Sequence, residues 1–92
     1  MFLAKDIISE LHGLENLPVP ILVRDIEIGP DSTGDSSVWV WVELQADQVN
    51  SEDRASIRET VRETVSKVCL EKEHVSPWVY VRFREVSELQ AS

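Results

Sequence analysis

One short segment constrains the fold more than any other: residues Ser37–Leu44, with the sequence SVWVWVEL. Its alternation predicts a β-strand, because successive side chains of a strand point to opposite faces of the sheet. Both rows are apolar here, with aliphatic side chains on one face and two tryptophans followed by a glutamate on the other. A strand with one face in water would alternate apolar and polar residues. We therefore expect both faces of this strand to be covered.

The rest of the chain divides into helices, strands and turns by the spacing of its apolar residues. Apolar residues three or four apart predict helices, and alternation predicts strands. The turn formers GPDSTGDSS, between the first two apolar alternating runs, predict a hairpin loop. The predicted elements are a helix at 2–14, strands at 21–28 and 37–45, a helix at 51–73, a strand at 78–86 and a tail at 87–92.

This α-β-β-α-β order, in a single domain of residues 1–92, predicts an α+β fold. We expect a two-layer sandwich in which helices cover one face of a three-stranded, mostly antiparallel sheet, as in half of a ferredoxin-like fold. A helix that links two strands of one sheet packs against one face of it. The other face of the sheet is then left without helices.

The period of two assigns each strand residue to a face. The most uniformly aliphatic rows belong under the helices, and on the first strand this rule places Leu22, Ile26 and Ile28 there and Val23 on the opposite side. The helix-free face then carries the candidate interface residues, which are aromatic or charged: Asp25, Glu27, Trp39, Trp41, Glu43, Trp78, Tyr80, Arg82 and Arg84.

Four large aromatic side chains on one bare face exceed the apolar patch of a few hundred Å² that monomers usually expose. Sheet-to-sheet association into a two-fold homodimer is the preferred explanation, since such dimers are the commonest oligomers. In one alternative, the chain's own tails or its proline-rich connector cover the rings. In another, the aromatic face with Arg82 and Arg84 forms a pocket for an aromatic or anionic ligand, or for a metal, in a binding module or an enzyme.

Composition limits the partners and the compartment. A formal net charge of -8 repels nucleic acid and anionic membranes, while it suits a basic protein partner. A single cysteine excludes a disulfide within the chain and fits a reducing compartment. No segment approaches the roughly 18 apolar residues of a membrane span, and the first residues do not follow the pattern of a secretory signal. We expect a cytoplasmic protein.

No constellation of residues predicts catalysis, a cofactor or a metal site. His12 and His74 fall near helix ends, and Cys69 falls in the apolar stripe of the long helix. Asp31–Asp35 lacks the closing glutamate of a calcium loop and is typical of a solvated turn. Three arginines recur every four residues on the long helix and form either a salt-bridged surface or a binding surface for an anion or an acidic partner: Arg54, Arg58 and Arg62. The expectation is a non-enzymatic binding protein.

Three motifs carry a resemblance to known proteins: DSTGD at 31–35, VWVWV at 38–42 and WVYVRFR at 78–84. They resemble the pattern of a group of small bacterial proteins with no assigned function, loosely associated with two-gene toxin and antitoxin cassettes. This implies an antitoxin-like or regulatory partner of another protein and supplies no catalytic residue. The element order is also similar to that of ferredoxin-like dimerising modules, such as the cytoplasmic domain of cation-diffusion-facilitator transporters, whose metal ligands this chain does not match.

Overall fold

The structure is a computed structural model and describes residues 2–15, 17–46 and 48–85. The predicted order of elements is confirmed, with small shifts at their ends. The predicted tail lies outside the described residues. The helices and strands are α1 (Phe2–His12), β1 (Ile21–Pro30), β2 (Ser36–Leu44), α2 (Ser51–Glu73) and β3 (Trp78–Glu85).

The three strands form one sheet in the order β1-β2-β3. β1 and β2 are antiparallel and joined by the hairpin loop, whereas β2 and β3 are parallel. The parallel pair follows from α2, which carries the chain back along the sheet before β3 begins. The predicted α+β class is confirmed, and the sheet is mixed, with one pair of each kind, rather than mostly antiparallel.

The ends of α2 follow the capping rules for helices. The side chain of Asn50 accepts a hydrogen bond from the backbone N–H of Asp53 at 2.8 Å, which satisfies one of the free donors of the first turn. Glu52 and Asp53 place negative charge beside the positive end of the helix dipole. At the other end His74 adopts a left-handed conformation, with φ 57°, and its N–H bonds to the Leu70 carbonyl.

The core lies between the two helices and one face of the sheet. Both helices contribute side chains at helical spacing, and β2 and β3 contribute the aliphatic rows assigned to that face by the sequence pattern. The face assignment of these two strands is thereby confirmed. The most deeply buried members are Ile7 and Leu11 of α1, Val38, Val40, Val42 and Leu44 of β2, and Ile57, Val61, Val65 and Cys69 of α2.

The face assignment of β1 is wrong at its first residues, because the strand contains a β-bulge. Val23 pairs with Val42 and Asp25 pairs with the adjacent Trp41, so Arg24 is an extra residue in the ladder. One extra residue reverses the alternation on its N-terminal side. Val23 therefore lies in the core, 9% exposed, and Leu22 is on the helix-free face, 38% exposed.

Neither helix is suited to crossing a bilayer. Within the described ranges, no helix combines the length and the apolar composition that a membrane span requires.

Candidate functional site

The helix-free face of the sheet, here called the outer face, brings the predicted interface residues together. Residues that pair directly across neighbouring strands share a face, so the register defines rows of side chains across the sheet. The successive rows, from β1 through β2 to β3, are Glu27–Trp39–Tyr80, Asp25–Trp41–Arg82 and Leu22–Glu43–Arg84, and Trp78 lies beside Ser37 at the hairpin end.

Two of the aromatic rings on the outer face are stacked. Trp39 of the central strand and Tyr80 of β3 have ring centroids 5.5 Å apart and planes inclined by 20°. Such a pair contributes roughly 0.5 to 1.5 kcal/mol beyond its buried area. The stack covers part of each ring and links β2 to β3 by side chains as well as by the backbone ladder.

Exposure on the outer face is uneven. Trp39 and Trp41 in the central strand are half-buried by their neighbours. Trp78 is 58% exposed and Tyr80 is 37% exposed, and both lie on β3. The apolar area open to water therefore lies mainly at the β3 side of the face.

The hairpin loop is held in shape by one carboxylate. Asp31 Oδ1 accepts hydrogen bonds from the Thr33 N–H at 2.9 Å, the Thr33 hydroxyl at 2.6 Å and the Asp35 N–H at 3.1 Å. Gly34 supplies the positive φ, 87°, that the turn needs. The Thr33 hydroxyl, together with the backbone donors, stabilises the charged carboxylate and lowers the pKa of Asp31 to about 2.

The same carboxylate attaches the loop to the outer face. The Tyr80 hydroxyl donates a hydrogen bond to Asp31 Oδ2 at 3.2 Å. Desolvation of the phenol raises the pKa of Tyr80, and the bond to Asp31 and the charges of Asp31 and Asp35 raise it further. This contact was not predicted from the sequence, because nothing in a local pattern links residues 49 positions apart.

Glu43 lies on the outer face as predicted, yet it is only 8% exposed. Its Oε2 is 3.5 Å from Nη1 of Arg24, the bulge residue, and makes no hydrogen bond within the described part of the chain. Arg24 was missed as a member of the face. The signal was present in the sequence: two consecutive polar residues, Arg24 and Asp25, separate the apolar run at 21–23 from the alternating residues at 26–28.

The remaining charges of the face are open to solvent. Asp25, Glu27, Arg82 and Arg84 are all exposed, and Asp25 Oδ1 accepts a hydrogen bond from the Ile26 N–H. The rows place Trp41 between Asp25 and Arg82, which keeps these opposite charges apart. These four charged residues form no ion pair with one another among the residues that the structure describes. These charges are accessible to a partner.

A shallow cavity opens at one end of the outer face. It has a volume of about 250 Å³ and is lined by Arg24, Asp25, Trp41, Val42 and Arg84. This is smaller than the roughly 300 to 1,000 Å³ of sites for drug-sized ligands. Two guanidinium groups beside an indole ring suit a small anion or a small aromatic carboxylate.

The arginine stripe of α2 approaches the β3 side of the sheet. The Arg58 guanidinium lies over the Phe83 ring, 5.2 Å from its centroid, in a cation–π contact. One turn further on, Arg62 lines a surface cleft with Trp78 and Val79. At least two of the three arginines thus adjoin β3, the strand that carries the most exposed aromatic rings.

The cysteine and histidine side chains, which could act as a nucleophile or a base, contribute to the fold. Cys69 is 1% exposed, and its burial, with the nearby charge of Glu73, raises the pKa of its thiol. His12 Nε2 accepts a hydrogen bond from the Val23 N–H at 3.2 Å and so ties α1 to the bulge. His74 ends α2. Within residues 2–15, 17–46 and 48–85, no three metal-ligating side chains are grouped as a metal site.

Comparison with known proteins returned no relatives: no protein-family model, no curated protein and no solved structure matches this chain.

Proposed function

We propose that this chain is a non-enzymatic protein-binding module that associates with a second copy of itself through the outer face. The observation that carries the proposal is the exposure of Trp78 and Tyr80, 58% and 37%, on a sheet face that neither helix covers. The outer face also exposes Leu22, at 38%. Water contact with this much aromatic surface is unfavourable, and contact with a second copy would reduce it.

The composition of the face supports binding of a protein. Tryptophan, tyrosine and arginine are the residue types most enriched at interface hot spots. Here Trp78, Tyr80, Arg82 and Arg84 alternate with core residues along one strand and share the outer face. The exposed Asp25 and Glu27 at the other side of the sheet supply the opposite charge.

The positions of the reactive residues also support a binding function. Cys69 is enclosed in the core with a raised thiol pKa, which disfavours the nucleophilic thiolate. His12 is engaged with the backbone of Val23, so its Nε2 lone pair is already used. These side chains serve the fold, and the outer face offers shape and charge rather than a nucleophile beside a base.

The proposal includes a basic protein as a further partner of the dimer, in the manner of an antitoxin-like or regulatory protein. A formal net charge of -8 on each chain would accelerate encounter with such a partner and disfavour nucleic acid. The net charge supports only the sign of the partner's own charge. Affinity capture on the immobilised dimer is the experiment that identifies the partner.

The test compares two exposed apolar side chains in different places. Trp78, 58% exposed, lies on the outer face, and Leu70, 56% exposed, lies on α2. Sedimentation equilibrium of each alanine variant gives the dimer dissociation constant. We expect Trp78→Ala to weaken the dimer at least about tenfold, as hot-spot truncations do, and Leu70→Ala to leave it unchanged. Equal effects of the two substitutions would contradict the proposal.

The cavity beside Trp41 supports a second candidate function, the binding of a small anion or aromatic carboxylate by Arg24 and Arg84. Thermal unfolding separates the two functions, because each ligand stabilises the folded state according to its own concentration. Sodium benzoate and inorganic phosphate are suitable probes. A melting temperature that rises with either probe and is independent of protein concentration would favour the ligand site over self-association.

A further inference from the structure

β3 is an edge strand with a free side. It pairs with β2, and within the described residues no other segment pairs with its outer edge. A free edge presents a row of backbone N–H and C=O groups that can pair with another strand. Proteins usually protect such edges, and here two exposed aromatic side chains, Trp78 and Tyr80, accompany the open backbone.

The side chains of β3 are arranged in a pattern that is complementary to its own reverse. On the outer face the first two are aromatic, Trp78 and Tyr80, and the next two are cationic, Arg82 and Arg84. A strand that runs in the opposite direction presents the cations first and the aromatic rings second. Antiparallel pairing of two such strands therefore places each aromatic ring opposite a guanidinium group.

We propose that two copies of this chain join by antiparallel pairing of their β3 strands, with Val81 on the two-fold axis. The inference rests on the proposed function and specifies its geometry: the two sheets become one continuous sheet, and their outer faces lie side by side. Trp78 then faces Arg84 of the second copy, and Tyr80 faces Arg82 of the second copy. Directly opposed side chains are about 4.5 to 5.5 Å apart at Cβ, within the roughly 6 Å reach of a cation–π contact.

The register follows from the same pattern. Residues directly opposite each other share a face. The two-fold axis therefore lies between one residue of β3 and the same residue of the second copy. An axis at Arg82 would oppose two like charges, which is destabilising. An axis at Tyr80 would leave Arg84 without an aromatic partner on β3. An axis at Val81 places both aromatic rings opposite the two arginines.

The helix side of β3 matches under the same pairing. Val79 is 8% exposed, and Val81 and Phe83 are half-buried against the core. With Val81 on the axis, Val79 of each copy faces Phe83 of the other, so the two cores join through apolar side chains. On the helix side, the Arg58 guanidinium lies over the Phe83 ring, 5.2 Å from its centroid.

Pairwise cysteine cross-linking tests this register. In a Cys69→Ala background, which removes the one native thiol, Tyr80→Cys protein is mixed with Arg82→Cys protein and oxidised mildly with diamide. Directly opposed positions of an antiparallel pair fall within the roughly 4.4 to 6.8 Å Cα separation of a disulfide. The matched control replaces Arg82→Cys by Arg84→Cys. Both of these arginines are exposed and Tyr80 lies outside the core, so every variant keeps the core side chains, and circular dichroism verifies the fold.

We expect the 80–82 mixture to form at least about fivefold more cross-linked dimer than the 80–84 control or either variant alone. Equal yields from both mixtures, in protein that light scattering shows to be dimeric, would overturn the β3 pairing and leave the proposed self-association standing. A Trp41→Cys variant that cross-links to itself more readily than the 80–82 mixture would indicate stacked outer faces and would also overturn it. Native chain that stays monomeric at the same concentration would refute both.

Discussion

Trp39 and Tyr80 stack with their ring centroids 5.5 Å apart, so the central strand and the edge strand are joined by side chains on the face that neither α1 nor α2 covers. The stack divides the aromatic residues into two groups. Trp39 is half-buried and supports the sheet, whereas Trp78 is 58% exposed and contributes little within one chain.

This division predicts different stability losses for two tryptophan substitutions. Trp39→Ala should lower the free energy of unfolding by about 2 kcal/mol, through lost burial and lost stacking. Trp78→Ala should lower it by less than about 0.5 kcal/mol, as is usual at exposed positions. Urea unfolding monitored by circular dichroism, at a protein concentration where the chain is monomeric, measures both values. Equal losses would show that the stack does not support the fold.

Asp31 predicts a specific acid dependence of stability. Its pKa is lowered from 3.8 to about 2 in the folded chain, first by the Thr33 hydroxyl. A lowered carboxyl pKa stabilises the folded state above the unfolded pKa, and this contribution disappears as the pH falls through the folded pKa. Asp31→Asn should therefore be less stable than the native chain above about pH 5 and should approach it near pH 2.

Melting temperatures of the two proteins across this pH range test the assignment. Thr33→Val is the companion variant, because it removes the largest contribution to the shift while keeping Asp31. Its Asp31 carboxyl should titrate at a higher pH by NMR. A constant difference in melting temperature between Asp31→Asn and the native chain from pH 5 to pH 2 would rule out Asp31 as the source.

Two glycines provide a matched test of the hairpin loop. Gly34 has φ 87°, whereas Gly29 has no positive φ, and an added Cβ would meet no atom within 4 Å at either position. Gly34→Ala should destabilise the chain by about 1 kcal/mol, which lowers the melting temperature by roughly 4 to 8 °C. Gly29→Ala should be neutral within about 0.5 kcal/mol. A neutral Gly34→Ala would contradict the left-handed turn.

Cys69 should resist thiol reagents in the folded chain. It is 1% exposed and its thiol pKa is raised by burial, so both access and the thiolate fraction are low at neutral pH. Reaction with Ellman's reagent at pH 8 should be at least roughly 100-fold slower in buffer than in concentrated urea, because it requires local opening. Comparable rates in the two solvents would place the thiol at the surface.

Salt should strengthen the association. Each copy carries a formal net charge of -8, and the edges proposed to meet are rich in arginine, so like charges oppose the encounter at long range. The screening length falls from about 10 Å at 0.1 M salt to about 3 Å at 1 M. The dimer dissociation constant should decrease several-fold over this range. An increase would indicate an interface held mainly by exposed ion pairs.

Local pattern was sufficient to predict the elements and most of the face assignment. The aliphatic row Val38, Val40 and Val42 lies in the core, and the tryptophans between them lie outside, because strand geometry allows no other division. The same rule failed at the bulge residue Arg24, because one extra residue reverses the alternation and places Leu22 on the outer face. The sequence sign of this bulge is the pair of consecutive polar residues Arg24 and Asp25. This sign is weak until the residues of β1 can be matched with those of its partner strand.

Contacts between residues that are far apart in the sequence could not be predicted from local patterns. Tyr80 reaches Asp31 because strand order places β3 beside the hairpin end of β2, and strand order depends on the handedness of the α2 crossover and on packing. The same holds for Arg58 over Phe83 and for His12 against Val23. These contacts determine which parts of the outer face remain open, and so where a partner can bind.

Molar mass as a function of concentration tests the central claim most directly. Size-exclusion chromatography with light scattering on the native chain, loaded from micromolar to millimolar concentration, should show the mass rise from 10.5 kDa toward twice that value. Fluorescence of the tryptophans should shift to shorter wavelength over the same range, as Trp78 leaves water. A constant mass of 10.5 kDa with Trp78 still in water at the highest concentration would contradict association through the outer face.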